Sequence, residues 1–294
     1  MDPKPEAVSK ITIPLILDRK LRGERIVCLT AYDYPIARLV DEAGVDVILV
    51  GDSLAQVVLG YDSTVPVTLE EMLHHLRAVR RAARRALLVV DLPYGTYHAS
   101  ESDGLRAGIR ALKDGAEAVK IEGGRKRATL IRRMIDAEIP VMGHIGLTPQ
   151  SVHSLGGYRV QGKTLESASD LIADALAVED AGAFALVLES IPRELAATIT
   201  ERLRIPTIGI GAGPDCDGQI LVLHDLLGLA LQPSPKFVRR YADIGQTLHD
   251  AINRYRDDVR AGRFPSDAES YHWSASLREQ FEKWTTIERA KDKV

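Results

Sequence analysis

The sequence predicts a (β/α)8 barrel, an α/β fold in which eight parallel strands alternate with crossover helices. Short apolar runs alternate with helix-patterned segments from residue 25 to about residue 230. Eight such runs are present, enough to close a ring. Four of them end in an acid: Asp52 closes VDVILVGD, Asp91 closes LLVVD, Glu122 closes AVKIE and Glu189 closes ALVLE. A carboxylate at a strand's last residue is poorly placed for a core and well placed for a barrel mouth, where strand ends converge. An open doubly wound sheet competes, but it usually carries a Gly-rich loop after its first strand, and LTAYDYPIA has no glycine.

In chain order, RIVCLTA is the first strand and DYPIARLVDEAG the helix after it. VDVILVGD leads to TLEEMLHHLRAVRRAARRA, and LLVVDLP leads to a helix read from Ser102 to Gly115. AVKIEGG, PVMGHIG and ALVLES are followed by RKRATLIRRMIDAE, TLESASDLIADALAVEDAG and IPRELAATITERL. PTIGIGAG and ILVLHDLL complete the ring. Gly44, Gly115 and Gly182 close helices where a left-handed C-cap is expected. The expected domains are an N-terminal segment (1–24), the barrel (25–256) and a polar C-terminal extension (257–294) read as a surface helix or packing arm.

With 294 residues, 45% hydrophobic and 27% charged, the chain can bury one large core. A net charge of -3 favours neither nucleic acid nor an anionic membrane surface as partner. Arg77, Arg80, Arg81, Arg84 and Arg85 fall on one helical face, which reads as a solvated face or subunit contact. Cys28 and Cys216 have no zinc-like spacing and suggest a reducing interior. The N-terminus lacks an apolar signal core, and no stretch approaches about 18 apolar residues. The expectation is a cytoplasmic protein whose partners are small molecules or copies of itself.

Each strand end has a functional and a plain structural reading. Asp52 and Ser53 suit a hard metal such as Mg²⁺, or cap a turn. Asp91, before Leu92 and Pro93, suits an active-site loop, or accepts backbone hydrogen bonds. Lys120 and Glu122, two apart, face the same side of a strand, and pair with each other unless a ligand or neighbouring charge engages them. His144 enters the same mouth and is expected to contact substrate, while His153 and Lys163 have little to mark them as functional. Glu189 is either a general base, helped if burial raises its pKa, or a carboxylate favoured at a helix N-terminus. The glycines of GIGAG, without a basic partner, read as a close-approach turn rather than a phosphate loop.

Long stretches of the chain resemble the ketopantoate hydroxymethyltransferase family: LTAYDYPIA, VGDSLAQVVLGYDSTVPVT, VVDLPYG, VKIEGG, GHIGLTPQSVHSLGGYRVQGKT, LVLESIP and GIGAGPDCDGQ. The resemblance runs from KITIPLILDRK to about PKFVRRYADIG. It implies a barrel of the phosphoenolpyruvate mutase/isocitrate lyase superfamily. The implied activity, in pantothenate biosynthesis, joins the one-carbon unit of 5,10-methylenetetrahydrofolate to 3-methyl-2-oxobutanoate, giving 2-dehydropantoate and tetrahydrofolate. Carried over by motif, Asp52, Asp91 and Glu122 hold Mg²⁺, while Asp52, Ser53, Asp91, Lys120 and His144 contact the oxo acid. Glu189 accepts the proton, and the assembly is a homo-oligomer, commonly a decamer. Ala55, Gln56, the loop Pro214 to Cys216 and the chain past Phe264 depart from the pattern without touching an implied ligand.

This chemistry is physically coherent. A 2-oxo acid chelates Mg²⁺ through a carboxylate oxygen and its keto oxygen, which stabilises the enolate formed when the C3 proton leaves. A related Mg²⁺-dependent lyase or mutase of 2-oxo acids is the alternative, disfavoured by LTPQSVHSLGGYRVQGKT and by the absence of a KKCGH segment. A non-catalytic barrel would leave the acids scattered or internally paired.

Overall fold

The computed structural model describes residues 9–229 and 235–291. The chain divides into two compact units, Met1–Ala242 and Asp243–Val294. In the first, eight parallel strands close in sequence order: β1 (Ile26–Thr30), β2 (Val47–Val50), β3 (Leu87–Asp91), β4 (Ala118–Glu122), β5 (Val141–Gly146), β6 (Ala185–Glu189), β7 (Thr207–Ile210) and β8 (Gly218–Leu221). The barrel expected from the alternation is therefore present.

The helices are α1 (Ile13–Arg22), α2 (Tyr34–Glu42), α3 (Leu54–Val57), α4 (Leu69–Arg80), α5 (Glu101–Lys113), α6 (Ala128–Asp136), α7 (Val152–Leu155), α8 (Leu165–Asp180), α9 (Arg193–Arg202) and α10 (Leu223–Leu226). Side-chain caps start several of them. Asp33, Thr68, Ser100 and Thr164 each accept from a first-turn backbone N–H, satisfying a donor that would otherwise lack a helical partner. Gly44, Gly115 and Gly182 have φ of 85°, 106° and 98°, as their positions after helices suggested.

Strand periodicity sorts the side chains into two layers. Outward residues such as Ile48, Val50, Leu88, Val90, Val119 and Ile121 join the helices in the outer core. The inward set, including Cys28, Val47, Leu49, Val89, Met142 and Val187, forms an inner cluster with Ile11 and Ile16 from the segment around α1. Towards the strands' C-terminal ends this set changes from apolar to ionisable: Asp91, Lys120, Glu122 and His144 are buried there.

Two expectations need correction. The helix read over residues 68–86 stops at Arg80. The buried Asp41 carboxylate accepts the backbone N–H groups of Arg84 and Arg85 at 3.0 Å and of Ala86 at 2.7 Å, holding that stretch as a turn into β3. The five arginines therefore share no helical face. The eighth strand lies earlier than ILVLHDLL suggests: Gly218–Leu221 pairs with β1, and Leu223–Leu226 is helical.

The second unit holds α11 (Ile244–Arg260) and α12 (Ala275–Lys291). Leu248, Ile252, Tyr255 and Val259 are exposed along one face of α11, and Phe281 packs on Trp273 with ring centroids 4.5 Å apart. Among the described residues no helix is long and apolar enough to cross a membrane.

Candidate active site

A cavity of about 180 Å³ opens at the C-terminal ends of the strands. Its wall contains all seven residues singled out from the sequence: Asp52, Ser53, Asp91, Lys120, Glu122, His144 and Glu189. Pockets for drug-sized ligands span roughly 300–1,000 Å³, so this one suits a small acid. Two larger depressions lack such a cluster: about 650 Å³ around Tyr271 and Trp273, and about 380 Å³ with mainly apolar lining around Phe184.

Strand register sets the neighbours. Lys120 is opposite Asp91, Glu122 opposite His144, and Glu189 opposite Gly146. Lys120 consequently pairs across strands, its Nζ 2.9 Å from Asp91 Oδ1, rather than along its own strand with Glu122. Both groups are almost fully buried, and the strands' hydrogen-bonded ladder fixes their separation. A side chain at Gly146 would meet the Glu189 carbonyl oxygen, so glycine there lets the two strand ends close up. Ser190, at φ 48°, turns the chain sharply after Glu189 and is pinned by hydrogen bonds to Ile210 and Gln161.

Each of three carboxylates has one oxygen held by a donor. Asp91 Oδ2 accepts from the Asp52 backbone N–H at 3.0 Å, Glu122 Oε2 from the Gln150 N–H at 3.0 Å, and Asp52 Oδ2 from Gln150 Nε2 at 2.8 Å. Asp91 Oδ1 is buried against the Lys120 ammonium, whereas Glu122 Oε1 is buried without a hydrogen-bond partner. Burial, reinforced by the Asp91 and Glu122 charges, raises the Asp52 pKa well above the usual carboxylate range despite Lys120 and Gln150. Burial raises Asp91 as well, against the pull of Lys120 and the Asp52 amide. Burial disfavours the Lys120 ammonium, but Asp91, Glu122 and Asp52 outweigh it and hold its pKa above normal.

His144 bridges the two sides of the mouth. Its Nε2 lies 3.1 Å from Glu189 Oε2, and its Nδ1 lies 3.1 Å from Lys120 Nζ and 3.5 Å from Glu122 Oε1. Burial and Lys120 lower its pKa, while Glu122 and Glu189 outweigh them and bring it to about 9. That balance favours a proton on both nitrogens, whereas the ammonium contact requires a lone pair on Nδ1. We assign the Nε2–H tautomer, because two N–H donors cannot share a 3.1 Å contact. The ring then carries its proton on Nε2, close to Glu189 Oε2 but without hydrogen-bond alignment.

The residues fit a hard divalent cation. Carboxylate oxygens are the donors such an ion requires, and one of them, Glu122 Oε1, is buried with no hydrogen-bond partner. Among the described residues no three His, Cys, Asp or Glu side chains form a finished cage. Mg²⁺ does not demand one, since one or two carboxylates usually hold it while waters and substrate oxygens complete the shell.

Several residues in the cavity wall or bonded to it carried no signal in the sequence. Tyr32 shares a 2.7 Å hydrogen bond with Ser53, and Tyr97 donates to Gln150 Oε1 at 2.6 Å. Gln56, one of the departures from the family pattern, lines the cavity with Tyr158. Gln150 lies within a quoted motif, but a neutral amide has no charge to mark it. His153 and Lys163 are exposed and outside the cavity wall. Gly211 and Gly213 of GIGAG turn at φ 65° and 82°, and a Cβ on either would crowd Phe237 or Arg193, which supports the close-approach reading.

Comparison with known proteins gives the family and the fold. The family model for ketopantoate hydroxymethyltransferase matches residues 10–267. A 3-methyl-2-oxobutanoate hydroxymethyltransferase of Koribacter versatilis is 61% identical over 265 residues, 90% of this chain and 90% of that protein. A protein with the same description from Carboxydothermus hydrogenoformans is 52% identical over 274 residues, covering 93% and 99%. Solved structures share the fold at low identity. Phosphonopyruvate hydrolase complexed with oxalate and Mg²⁺ has a TM-score of 0.59 at 13% identity, covering 95% of this chain and 98% of that one. A 2,3-dimethylmalate lyase of the PEP mutase/isocitrate lyase superfamily has a TM-score of 0.55 at 17% identity, covering 95% and 98%.

Proposed function

The chain belongs to the ketopantoate hydroxymethyltransferase family, and from that premise we propose how its barrel mouth works. The enzyme transfers a hydroxymethyl group to 3-methyl-2-oxobutanoate, forming 2-dehydropantoate for pantothenate biosynthesis. The one-carbon donor is 5,10-methylenetetrahydrofolate, which leaves as tetrahydrofolate. The observation that carries the site assignment is the burial of Asp91, Lys120, Glu122 and His144 in one small cavity with Asp52 and Glu189.

Asp52, Asp91 and Glu122 would hold the divalent cation, Mg²⁺ in this reading, and the buried, unpartnered Glu122 Oε1 supports it. When bound, the cation draws electron density from the keto oxygen and lowers the cost of the enolate. Lys120 anchors the substrate carboxylate through its ammonium, and Ser53 lines the same cavity. Glu189 takes the C3 proton as general base, and the pair of electrons left behind moves towards the keto oxygen. His144 stands beside that carboxylate, its Nε2 3.1 Å from Glu189 Oε2. C3 then attacks the one-carbon unit, the bonds from that carbon to folate nitrogen break, and water supplies the hydroxyl oxygen. Low-dielectric walls strengthen each electrostatic contact during these steps.

The same reading places the enzyme in the cytoplasm as a homo-oligomer, a decamer by family resemblance. Its two free, buried cysteines suit a reducing compartment. The test is incubation of the protein with the oxo acid, methylenetetrahydrofolate and Mg²⁺. Formation of 2-dehydropantoate is expected; its absence with every divalent metal tried would refute the assignment. A related 2-oxo acid lyase or mutase would instead turn over a member of a substrate panel containing no folate.

A further inference from the structure

Gln150 lies just after β5 and is 4% exposed. It reaches three neighbouring strand ends at once. Its Nε2 donates to Asp52 Oδ2 at 2.8 Å and to the Leu92 carbonyl, one residue past β3, at 3.0 Å. Its backbone N–H donates to Glu122 Oε2 at 3.0 Å, and its Oε1 accepts from the Tyr97 hydroxyl at 2.6 Å. All its amide hydrogens and its side-chain oxygen are therefore engaged with the protein.

The polarity of this amide is not arbitrary. The Tyr97 oxygen accepts the Glu122 backbone N–H at 3.0 Å, leaving its one hydrogen for Gln150 Oε1. Rotating the amide would set its oxygen against the Asp52 carboxylate and the Leu92 carbonyl. It would also set its NH₂ against a hydroxyl that is itself donating. Three independent contacts thus select one orientation. The hydrogen bonds run in a ring: Gln150 to Glu122, Glu122 to Tyr97 and Tyr97 back to Gln150, with Asp52 attached through Nε2.

We propose that Gln150 is a positioning residue for the divalent-cation site: it ties back one oxygen each of Asp52 and Glu122, so that their remaining oxygens face the cavity, and thereby sets cation affinity. Asp52 lies beyond β2 and Glu122 ends β4, with β3 between them. No strand hydrogen bond joins these two acids directly. Gln150 supplies the cross-link from above, a role the barrel ladder does not fill. Removing partners that orient metal ligands typically costs 10- to 100-fold in affinity. The backbone contact to Glu122 survives substitution, so the loss falls on the Asp52 side.

This inference rests on the metal assignment above, and the experiment separates the two. Mg²⁺ is titrated calorimetrically into wild type, Gln150→Met and Asp52→Asn, each with and without 3-methyl-2-oxobutanoate, and urea unfolding is recorded in parallel. The expected result is an Mg²⁺ Kd raised about 10-fold or more in Gln150→Met, with binding lost in Asp52→Asn. A Gln150→Met variant that loses stability yet binds Mg²⁺ within about threefold of wild type would overturn the positioning role while leaving the metal site intact. Unchanged binding in Asp52→Asn would overturn the metal site, and this inference with it. If Gln150→Met does not fold, Gln150→Asn, whose amide is one methylene too short to span from Tyr97 to Asp52, decides by the same criterion: an unmoved Kd rejects the proposal.

Discussion

Replacing Glu189 by glutamine separates chemistry from structure. The side chain is 15% exposed and contacts His144 Nε2 at 3.1 Å through one oxygen. Glutamine has the same shape and keeps an oxygen beside that nitrogen, which makes no well-aligned hydrogen bond in the native site. Only the carboxylate's charge beside this nitrogen is removed, a difference of about 1 kcal/mol in stability. The base itself is lost: a positioned general base contributes about 10²- to 10⁴-fold, or roughly 3–5 kcal/mol on the proton-transfer barrier. The catalytic effect therefore exceeds the folding effect several-fold. The assay is loss of the C3 proton signal of 3-methyl-2-oxobutanoate in deuterated water with Mg²⁺ and no folate, followed by NMR. Exchange in Glu189→Gln should fall about 100-fold or more while oxo-acid binding persists. Exchange within about threefold of wild type would remove Glu189 as the base.

Lys120→Met should raise the KM for the oxo acid about 10- to 100-fold, the worth of one hydrogen bond to a charged group; steady-state kinetics with an unchanged KM would exclude Lys120 as the carboxylate anchor. Asp41→Ala should cost about 3 kcal/mol or more, because three backbone N–H groups lose their acceptor; a urea midpoint near wild type would refute that accounting. Cys28 and Cys216, their pKa values raised chiefly by burial, should resist a thiol reagent in the native protein at pH 8 and react once unfolded. The folded state holds these protons more tightly than the unfolded chain, so their contribution to stability is present below about pH 8.5, the unfolded thiol pKa, and declines above it. Rapid native-state labelling or stability rising through pH 9 would contradict this.

The barrel was legible because strands covered on both faces read as apolar runs, and the acids ending four of them marked the functional end. What the sequence obscured lay in tertiary contacts. Arg81 to Arg85 belong to a good helix-forming run, yet three contacts with Asp41 halt the helix. Periodicity put Lys120 and Glu122 on one side, but only the register with β3 shows that Asp91 takes the ammonium. The eighth strand was misplaced because a short apolar run does not separate strand from helix. Gln150 was invisible as a site residue: its importance comes from where its four hydrogen bonds go.

Closure of the ring has a consequence for how activity is acquired. Ile26 pairs with Gly218, joining segments nearly two hundred residues apart, while the acids in the mouth come from strands in between. Such distant pairings carry a high loop-closure cost and tend to form late. The first seven strands can gather apolar surface before that, but their spacing is free to relax until β8 seats against β1. A refolding time course should therefore show secondary structure returning ahead of catalysis, with turnover appearing together with protection of the β1 amides from hydrogen exchange. On that expectation the final backbone ladder is also the step that switches the catalyst on.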